Sequence, residues 1–310
     1  MSTFTLGTAQ LGMEYGAVND AGKPARAHAL CIVKRAIEGG VSAIDTARCY
    51  GDAEEIVGQT LAHGPRVPVI SKLDPLKAIP RTADGATVRS AVEASVLASC
   101  QALRTEQLHT LLLHDWRHHS MWGGAAWERL LRFKEDGVIR ILGASVYQPS
   151  EALAGLRDPA IQHLQIPMNL LDGRWKAARV HHAIAGRPDV AIHARSALLQ
   201  GILLHSADRW PAVDGLNADA CVAHLRKMAL EFGRHNIADL CFAYLRSQSW
   251  IHSIVVGCET LPQLEQNLAL FRTPLLALAQ CDEVEGALPV PEDLLHPGKW
   301  PSRELASQLN

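Results

Sequence analysis

The chain has few of the features that mark membrane, secreted or nucleic-acid-binding proteins. No apolar run approaches the roughly 20 residues that a bilayer-spanning helix needs, and the first residues show no charged segment followed by an apolar one. The 30 Lys and Arg residues nearly balance the 32 Asp and Glu residues, giving a formal net charge of −2. We therefore expect a cytoplasmic protein that uses neither a membrane nor nucleic acid as a partner.

Cysteine is also sparse, and its arrangement gives no sign of a disulfide framework. The seven cysteines are odd in number and include no CxxC pair, which is typical of reduced thiols. His114, His118 and His119, together with Asp115, resemble a set of metal ligands. However, no second cluster has metal-ligand spacing, so we expect no bound metal. Cys49 is interpreted as a small packed side chain rather than a reactive thiol.

Short strand-like runs alternate with helix-like patterns along the whole chain, as in repeated βαβ units. The pattern predicts a single-domain α/β fold over residues 1–310, a (β/α)₈ TIM barrel, with a tail over about 279–310 that packs near the barrel mouth. The longest helix is predicted over about 87–103, with Thr87 as its N-cap. The eight predicted strands are 4–6, 41–45, 67–72, 108–114, 138–145, 161–166, 190–196 and 252–257.

Four polar side chains stand at or just after the ends of three of these predicted strands. Asp45, Lys72 and His114 each close a run, and Tyr50 follows the first run by one short loop. The carboxyl ends of the strands in a parallel barrel meet at one face, where active sites of this architecture lie. An acid, an amine, an imidazole and a phenol at one mouth could together transfer a proton.

This set resembles the catalytic tetrad of the aldo-keto reductases, and the resemblance extends over most of the chain. The segment AIDTARCYGDAEEIVGQTL is the strongest match, and LGTAQLG, LQIPMNLLD, ARSALLQGILL and IVVGCETLPQLEQNLAL also match. The resemblance implies reduction of a carbonyl, with a hydride from a nicotinamide cofactor and a proton from Tyr50. The Lys72 ammonium would lower the pKa of Tyr50, Asp45 would hold the lysine, and His114 would orient the carbonyl oxygen.

The resemblance also implies a cofactor site built from five parts of the chain. Its expected members are Thr8, Ser145, Gln165, Arg195, Ser196, Leu198, Gln200, Gly201, Gly257, Cys258, Glu259, Gln263, Gln266 and Asn267. We also expect the helix that begins near Glu259 to offer N–H donors to a phosphate.

Three positions depart from the family pattern. Val146 stands where an asparagine is usual, and Arg195 stands where an aromatic ring usually stacks on the nicotinamide. The basic residue that binds the 2′-phosphate of NADP is absent from the segment Cys258–Glu259–Thr260. NADP(H) is expected because it dominates the family, while Glu259 leaves NAD(H) open, since a carboxylate suits the ribose hydroxyl of NAD.

The expected substrate is a small aldehyde or ketone, with a sugar or hydroxy-aldehyde as the narrower choice. Two alternatives remain open: an NAD-dependent aldose dehydrogenase, and a cofactor-sensing binding subunit with slow turnover, like the potassium-channel β subunits. Trp116, Met121, Trp122 and Trp300 are expected either to line the substrate pocket or to cap the barrel. The sequence indicates no particular oligomeric state.

Overall fold

A computed structural model describes residues 2–62, 64–287 and 289–300. Its eight parallel strands close into one barrel in chain order, so the predicted (β/α)₈ architecture is confirmed. The strands are β1 (Thr3–Gly7), β2 (Ala43–Asp45), β3 (Val69–Lys72), β4 (Leu108–Leu113), β5 (Ile139–Ser145), β6 (His163–Pro167), β7 (Ala191–Arg195) and β8 (Ser253–Gly257).

Closure of the barrel comes from β1, which pairs with β2 on one side and with β8 on the other. Thr5 lies opposite Ala43 in the first pair and opposite Val255 in the second. Ala43, Ile70 and Leu112 form a small apolar cluster separate from the main core. Because side chains alternate across a strand, one set fills the barrel while the other packs beneath the helices.

Helices lie between the strands, and their apolar residues bury against the outside of the barrel. The helices are α1 (Ala9–Gly12), α2 (Arg26–Glu38), α3 (Ala53–Leu61), α4 (Gly85–Leu103), α5 (Ala125–Glu135), α6 (Pro149–Gly155), α7 (Arg174–Ala177), α8 (Val180–Ala185), α9 (Ala218–Glu231), α10 (Ile237–Ser247), α11 (Leu261–Leu270) and α12 (Leu278–Ala287). None of the described helices is both long and apolar enough to cross a membrane.

The start of α4 differs from the prediction. The helix begins at Gly85, and Asp84 is its N-cap, with its carboxylate accepting a hydrogen bond from the backbone N–H of Thr87 at 2.8 Å. Thr87 as the N-cap was therefore wrong. The carboxylate three residues upstream satisfies the free N–H group of Thr87, and the helix begins two residues earlier than predicted.

The segment after α12 packs against loops at the carboxyl ends of the strands. His296 Nε2 lies 3.1 Å from Arg174 Nη1, in the connection after β6, and 3.2 Å from Gln148 Nε2, in the connection after β5. Glu292 lies 3.5 Å from the same Arg174 nitrogen. The part of the predicted tail beyond Trp300 lies outside the described residues.

Candidate active site

Asp45 and Lys72 form a buried ion pair at the carboxyl ends of β2 and β3. Lys72 Nζ donates to Asp45 Oδ1 at 2.7 Å and to the carbonyl oxygen of Thr46 at 2.9 Å. Only 1% of the Lys72 side chain is exposed. Burial lowers the pKa of Lys72, while Asp45 opposes that shift. Two of the three ammonium protons are engaged, so one remains available for another acceptor.

Tyr50 is held beside this pair by a close approach of two loops. A Cβ atom on Gly12 would lie 1.9 Å from the Tyr50 carbonyl oxygen, and one on Gly51 would lie 2.1 Å from the Gly12 carbonyl oxygen. Gly51 also adopts a φ of +56°, in the left-handed region that favours glycine. Both positions therefore require glycine, and the resulting turn places the Tyr50 ring 5.0 Å from Lys72 Nζ.

His114, just beyond β4, completes the group. Its ring meets the Tyr50 ring edge-on, with centroids 5.8 Å apart, and its Nδ1 lies 3.5 Å from Cys49 Sγ. Burial, reinforced by the charges of Lys72 and Arg195, lowers the pKa of His114 to about 3. The imidazole is therefore neutral at neutral pH. Burial also raises the pKa of Cys49, so this residue is a thiol rather than a thiolate.

The direction of the Tyr50 shift is opposite to the prediction. Burial raises the pKa of Tyr50 well above its ordinary value, and the Asp45 carboxylate raises it further. Arg195 opposes this increase but does not reverse it. The predicted lowering was wrong, because burial of the phenol, with the Asp45 carboxylate beside it, outweighs the lowering by nearby positive charge. The phenol is consequently protonated at neutral pH.

A cavity of about 930 Å³ runs from the tetrad along the ends of β6, β7 and β8. Asp45 and Tyr50 line the end of the cavity beside Lys72 and His114. Of the residues expected to bind cofactor, Ser145 and Cys258 are buried and lie outside its wall. The expected residues that do line it are Thr8, Gln165, Arg195, Ser196, Leu198, Gln200, Gly201, Gly257, Glu259, Gln263, Gln266 and Asn267.

Gln165 on β6 provides the clearest test of whether a nicotinamide cofactor fits. Its Nε2 donates to Asp45 Oδ2 at 2.6 Å, while its Oε1 is buried without a hydrogen-bond partner among the described residues. Buried polar atoms are rarely left unpaired. An amide N–H, such as that of the nicotinamide carboxamide, would donate a hydrogen bond to this oxygen. Gln165 therefore fits a nicotinamide cofactor.

The loop after β7 supports the same fit through its backbone. Ser196, Leu199 and Gln200 have φ values of 63°, 46° and 53°, and Gly201 follows with a φ of 91°. Non-glycine residues held in the left-handed region are strained, and such strain concentrates at ligand-binding segments. Three of these four residues, Ser196, Gln200 and Gly201, line the cavity.

The start of α11 differs from the expectation of free N–H donors. Gln263 Oε1 accepts from the backbone N–H groups of Glu259 and Thr260 at 2.7 Å and 3.1 Å. Thr260 Oγ1 accepts in turn from the Gln263 backbone N–H at 3.3 Å. This reciprocal capping box already engages all three groups, so the expectation that they are free for a phosphate was wrong.

Two aromatic residues at the mouth escaped the sequence analysis. The Arg195 guanidinium lies over the Tyr147 ring at 4.4 Å, and it donates to the Val146 carbonyl oxygen at 3.3 Å. Tyr15 lines the cavity, and its pKa is raised by burial and lowered by Arg195. Tyr147 comes two residues after the end of β5. Because the carboxyl ends of the strands meet at the mouth, this position in the sequence could have predicted its location.

The histidine-rich loop after β4 is a packed aromatic cluster. His119 Nε2 lies 2.8 Å from Asp158 Oδ2, the same oxygen accepts from Trp127 Nε1 at 3.0 Å, and Trp116 stacks on His119 at 4.5 Å. Trp122 Nε1 donates to a backbone carbonyl oxygen. Within the described part of the chain, no group of three or more His, Cys, Asp or Glu side chains could hold a metal ion.

Comparison with known proteins identifies the family. The model of the Aldo/keto reductase family matches residues 3–288. The chain belongs to the aldo/keto reductase family. As a family member it is an NAD(P)H-dependent oxidoreductase that acts between a carbonyl and an alcohol. No curated protein sequence matches the chain.

Solved structures show the same fold at low sequence identity. An aldo-keto reductase from Bacillus halodurans (AKR11C1, holo form) is 18% identical with a TM-score of 0.69, and 91% of each chain is covered. The glycerol dehydrogenase AKR11B4 from Gluconobacter oxydans is 20% identical with a TM-score of 0.69, and 93% of each chain is covered. An aldo/keto reductase from Klebsiella pneumoniae, in complex with NADP and acetate, is 21% identical with a TM-score of 0.66, and the match covers 94% of this chain and 92% of that one.

Proposed function

We propose that the chain interconverts a small aldehyde or ketone and its alcohol, with Tyr50 as the general acid and base. Sugars and hydroxy-aldehydes are the narrower substrate class. The observation that carries this proposal is the convergence of the Tyr50 phenol, the His114 imidazole and the Lys72–Asp45 ion pair at one end of the cavity. A bound nicotinamide cofactor would supply the hydride in reduction or accept it in oxidation.

The Tyr50 phenol has a definite role in the direction of reduction. Because the phenol keeps its proton at neutral pH, it can donate that proton to the oxygen of a carbonyl as negative charge develops there. The ammonium proton of Lys72 that remains available can then stabilise the phenolate. Asp45 keeps this lysine charged, which lets it serve in each turnover.

His114 would act through a hydrogen bond rather than through its charge. A neutral imidazole carries one N–H donor. Nδ1 lies beside the Cys49 thiol, which leaves Nε2 for the substrate oxygen. A donor fixed at this position orients the carbonyl and stabilises the charge that builds on its oxygen.

The residues that would hold the cofactor lie along the length of the cavity. Gln165 would accept from the carboxamide, and Arg195 would stack on the nicotinamide ring. The strained segment from Ser196 to Gly201 would hold the pyrophosphate, and Gln266 and Asn267 would contact the adenosine. NADP(H) is favoured, supported by the family and by the relative from Klebsiella pneumoniae whose structure contains NADP.

A second candidate is an NAD-dependent aldose dehydrogenase, which the carboxylate of Glu259 favours. Purified protein should be assayed with a panel of aldehydes and ketones in the presence of NADH or NADPH. A panel of aldoses should be assayed in the presence of NAD⁺ or NADP⁺. Absorbance of the reduced nicotinamide reports turnover. We expect substrate-dependent turnover with at least one carbonyl, in the common range of about 1–1,000 s⁻¹. Tight cofactor binding with no turnover on any substrate would contradict the proposal and favour a cofactor-sensing subunit.

A further inference from the structure

Part of the cavity wall lies outside all of the family motifs. It is formed by Arg226 and Leu230 of α9 and by Arg234 and His235, which precede α10. Glu259 and Gln263, at the start of α11, line another part of the cavity. These two parts of the wall differ in charge, so a nucleotide phosphate would be attracted to one and repelled by the other.

The wall at the start of α11 carries no positive charge for a phosphate. No Lys, Arg or His occurs from Cys258 to Asn267. The backbone N–H groups of Glu259, Thr260 and Gln263 are engaged in the capping box. The Glu259 carboxylate adds a negative charge, which repels a phosphate.

The wall formed by α9 has the opposite character. Arg226 and Leu230 are four residues apart on one helix and therefore share a face. The Arg226 side chain is exposed and has no hydrogen-bond or ion-pair partner among the described residues. Leu230 is 82% exposed although it is apolar, and it too lines the cavity.

Arg234 adds a fixed positive charge next to this face. Its side chain is only 7% exposed, and its guanidinium donates to the carbonyl oxygens of Pro274 and Leu275 at 2.7 Å and 3.3 Å. Asp239 lies 3.6 Å away and partly balances it. The Arg234 Nε remains buried with no partner among the described residues, at a position where the side chain lines the cavity.

We propose that Arg226 binds the 2′-phosphate of NADP(H) and that Leu230 covers a face of the adenine. This inference rests on the proposed function, because it concerns the cofactor of the same site. The basic residue missing from the β8–α11 segment is then replaced by one from α9. A guanidinium suits this role because its planar N–H donors match two phosphate oxygens.

Calorimetric titration with adenosine 2′,5′-bisphosphate and with 5′-AMP tests the proposal without turnover. The native chain should bind the bisphosphate at least about tenfold more tightly. Arg226→Gln should weaken bisphosphate binding by about 10- to 100-fold, the size of a lost charge-assisted hydrogen bond, and change AMP binding less than about twofold. Lys227→Gln is the matched control, because Lys227 is adjacent, carries the same charge, pairs with Glu231 and does not line the cavity.

Two results would overturn the inference. One is a native chain that binds AMP as tightly as the bisphosphate, and the other is an Arg226→Gln variant indistinguishable from Lys227→Gln. In either case, turnover of aldehydes with a nicotinamide cofactor would leave the proposed function standing. A native chain that binds neither nucleotide and turns over no carbonyl would overturn both proposals.

Discussion

Gln165 donates a hydrogen bond from Nε2 to Asp45 Oδ2 at 2.6 Å, and thereby links the expected cofactor site to the Asp45–Lys72 ion pair. The other oxygen of the same carboxylate accepts from Lys72 at 2.7 Å. Asp45 thus has one oxygen bound from the cofactor side and one from the tetrad side. A change at Gln165 should affect both binding and catalysis.

Gln165→Met should weaken binding of the nicotinamide cofactor by about tenfold and lower the free energy of unfolding by about 1–3 kcal/mol. The stability cost arises because Asp45 Oδ2 would be buried without its donor. Fluorescence titration and denaturant unfolding measure the two effects. Gln162→Met is a suitable control, because Gln162 precedes β6 and accepts from Lys134 instead. Equal cofactor affinity in the two variants would contradict the assigned role of Gln165.

Removal of either member of the buried ion pair should destabilise the barrel, and the two substitutions should reduce activity to different extents. Lys72→Met and Asp45→Asn should each lower the free energy of unfolding by about 3–5 kcal/mol, as expected when one member of a buried pair is removed. Lys72→Met should abolish most activity, whereas Asp45→Asn should cost less because Asp45 acts through the lysine. Unfolding curves and turnover numbers test both statements. Unchanged activity and an unchanged basic limb of the pH–rate profile in Lys72→Met would refute the role of Lys72.

Arg195→Tyr should tighten binding of the oxidised cofactor relative to the reduced one. A guanidinium over the ring repels the positive charge of the oxidised nicotinamide, by up to a few kcal/mol at an effective dielectric of about 20 before screening. Tyrosine would remove that repulsion and still stack. Dissociation constants of both redox forms, measured by titration, test the idea. Equal changes in the two constants would mean that Arg195 does not stack on the nicotinamide.

Two histidines inside the barrel should make the fold sensitive to acid. The rings of His163 and His193 lie 4.2 Å apart, and burial lowers the pKa of His193 to about 3 and that of His163 well below its ordinary value. Below about pH 6.5 the unfolded chain binds protons that the folded chain does not. Stability should therefore be retained above pH 6.5 and fall as the pH decreases toward 3.

The measurement is the free energy of unfolding at several values between pH 8 and pH 5, chosen to span the ordinary histidine pKa of about 6.5. His193→Gln should flatten the loss of stability on the acid side. His28→Gln, an exposed position on α2, provides the control. An identical pH dependence in native protein and His193→Gln would show that His193 does not cause the acid sensitivity.

The strand ends and the grouping of polar residues at the mouth were predictable because each apolar run stops at a polar side chain. Asp45, Lys72 and His114 interrupt hydrophobic runs at positions that only a barrel mouth accommodates easily. The direction of the Tyr50 pKa shift was not predictable, since it depends on how deeply the phenol is buried, which follows from the packing of loops around it. The engagement of the α11 N–H groups depends on the Gln263 side-chain conformation, and the contact between Arg195 and Tyr147 depends on packing between two loops.

Turnover by Tyr50→Phe tests the central claim most directly, because the substitution removes only the proton that Tyr50 would donate. Cofactor affinity and the free energy of unfolding should stay close to native, and Tyr147→Phe serves as a control at the same mouth. We predict that kcat of Tyr50→Phe falls at least about a hundredfold, the usual scale for a lost general acid. A kcat within about twofold of the native value, with intact folding and cofactor binding, would contradict the account.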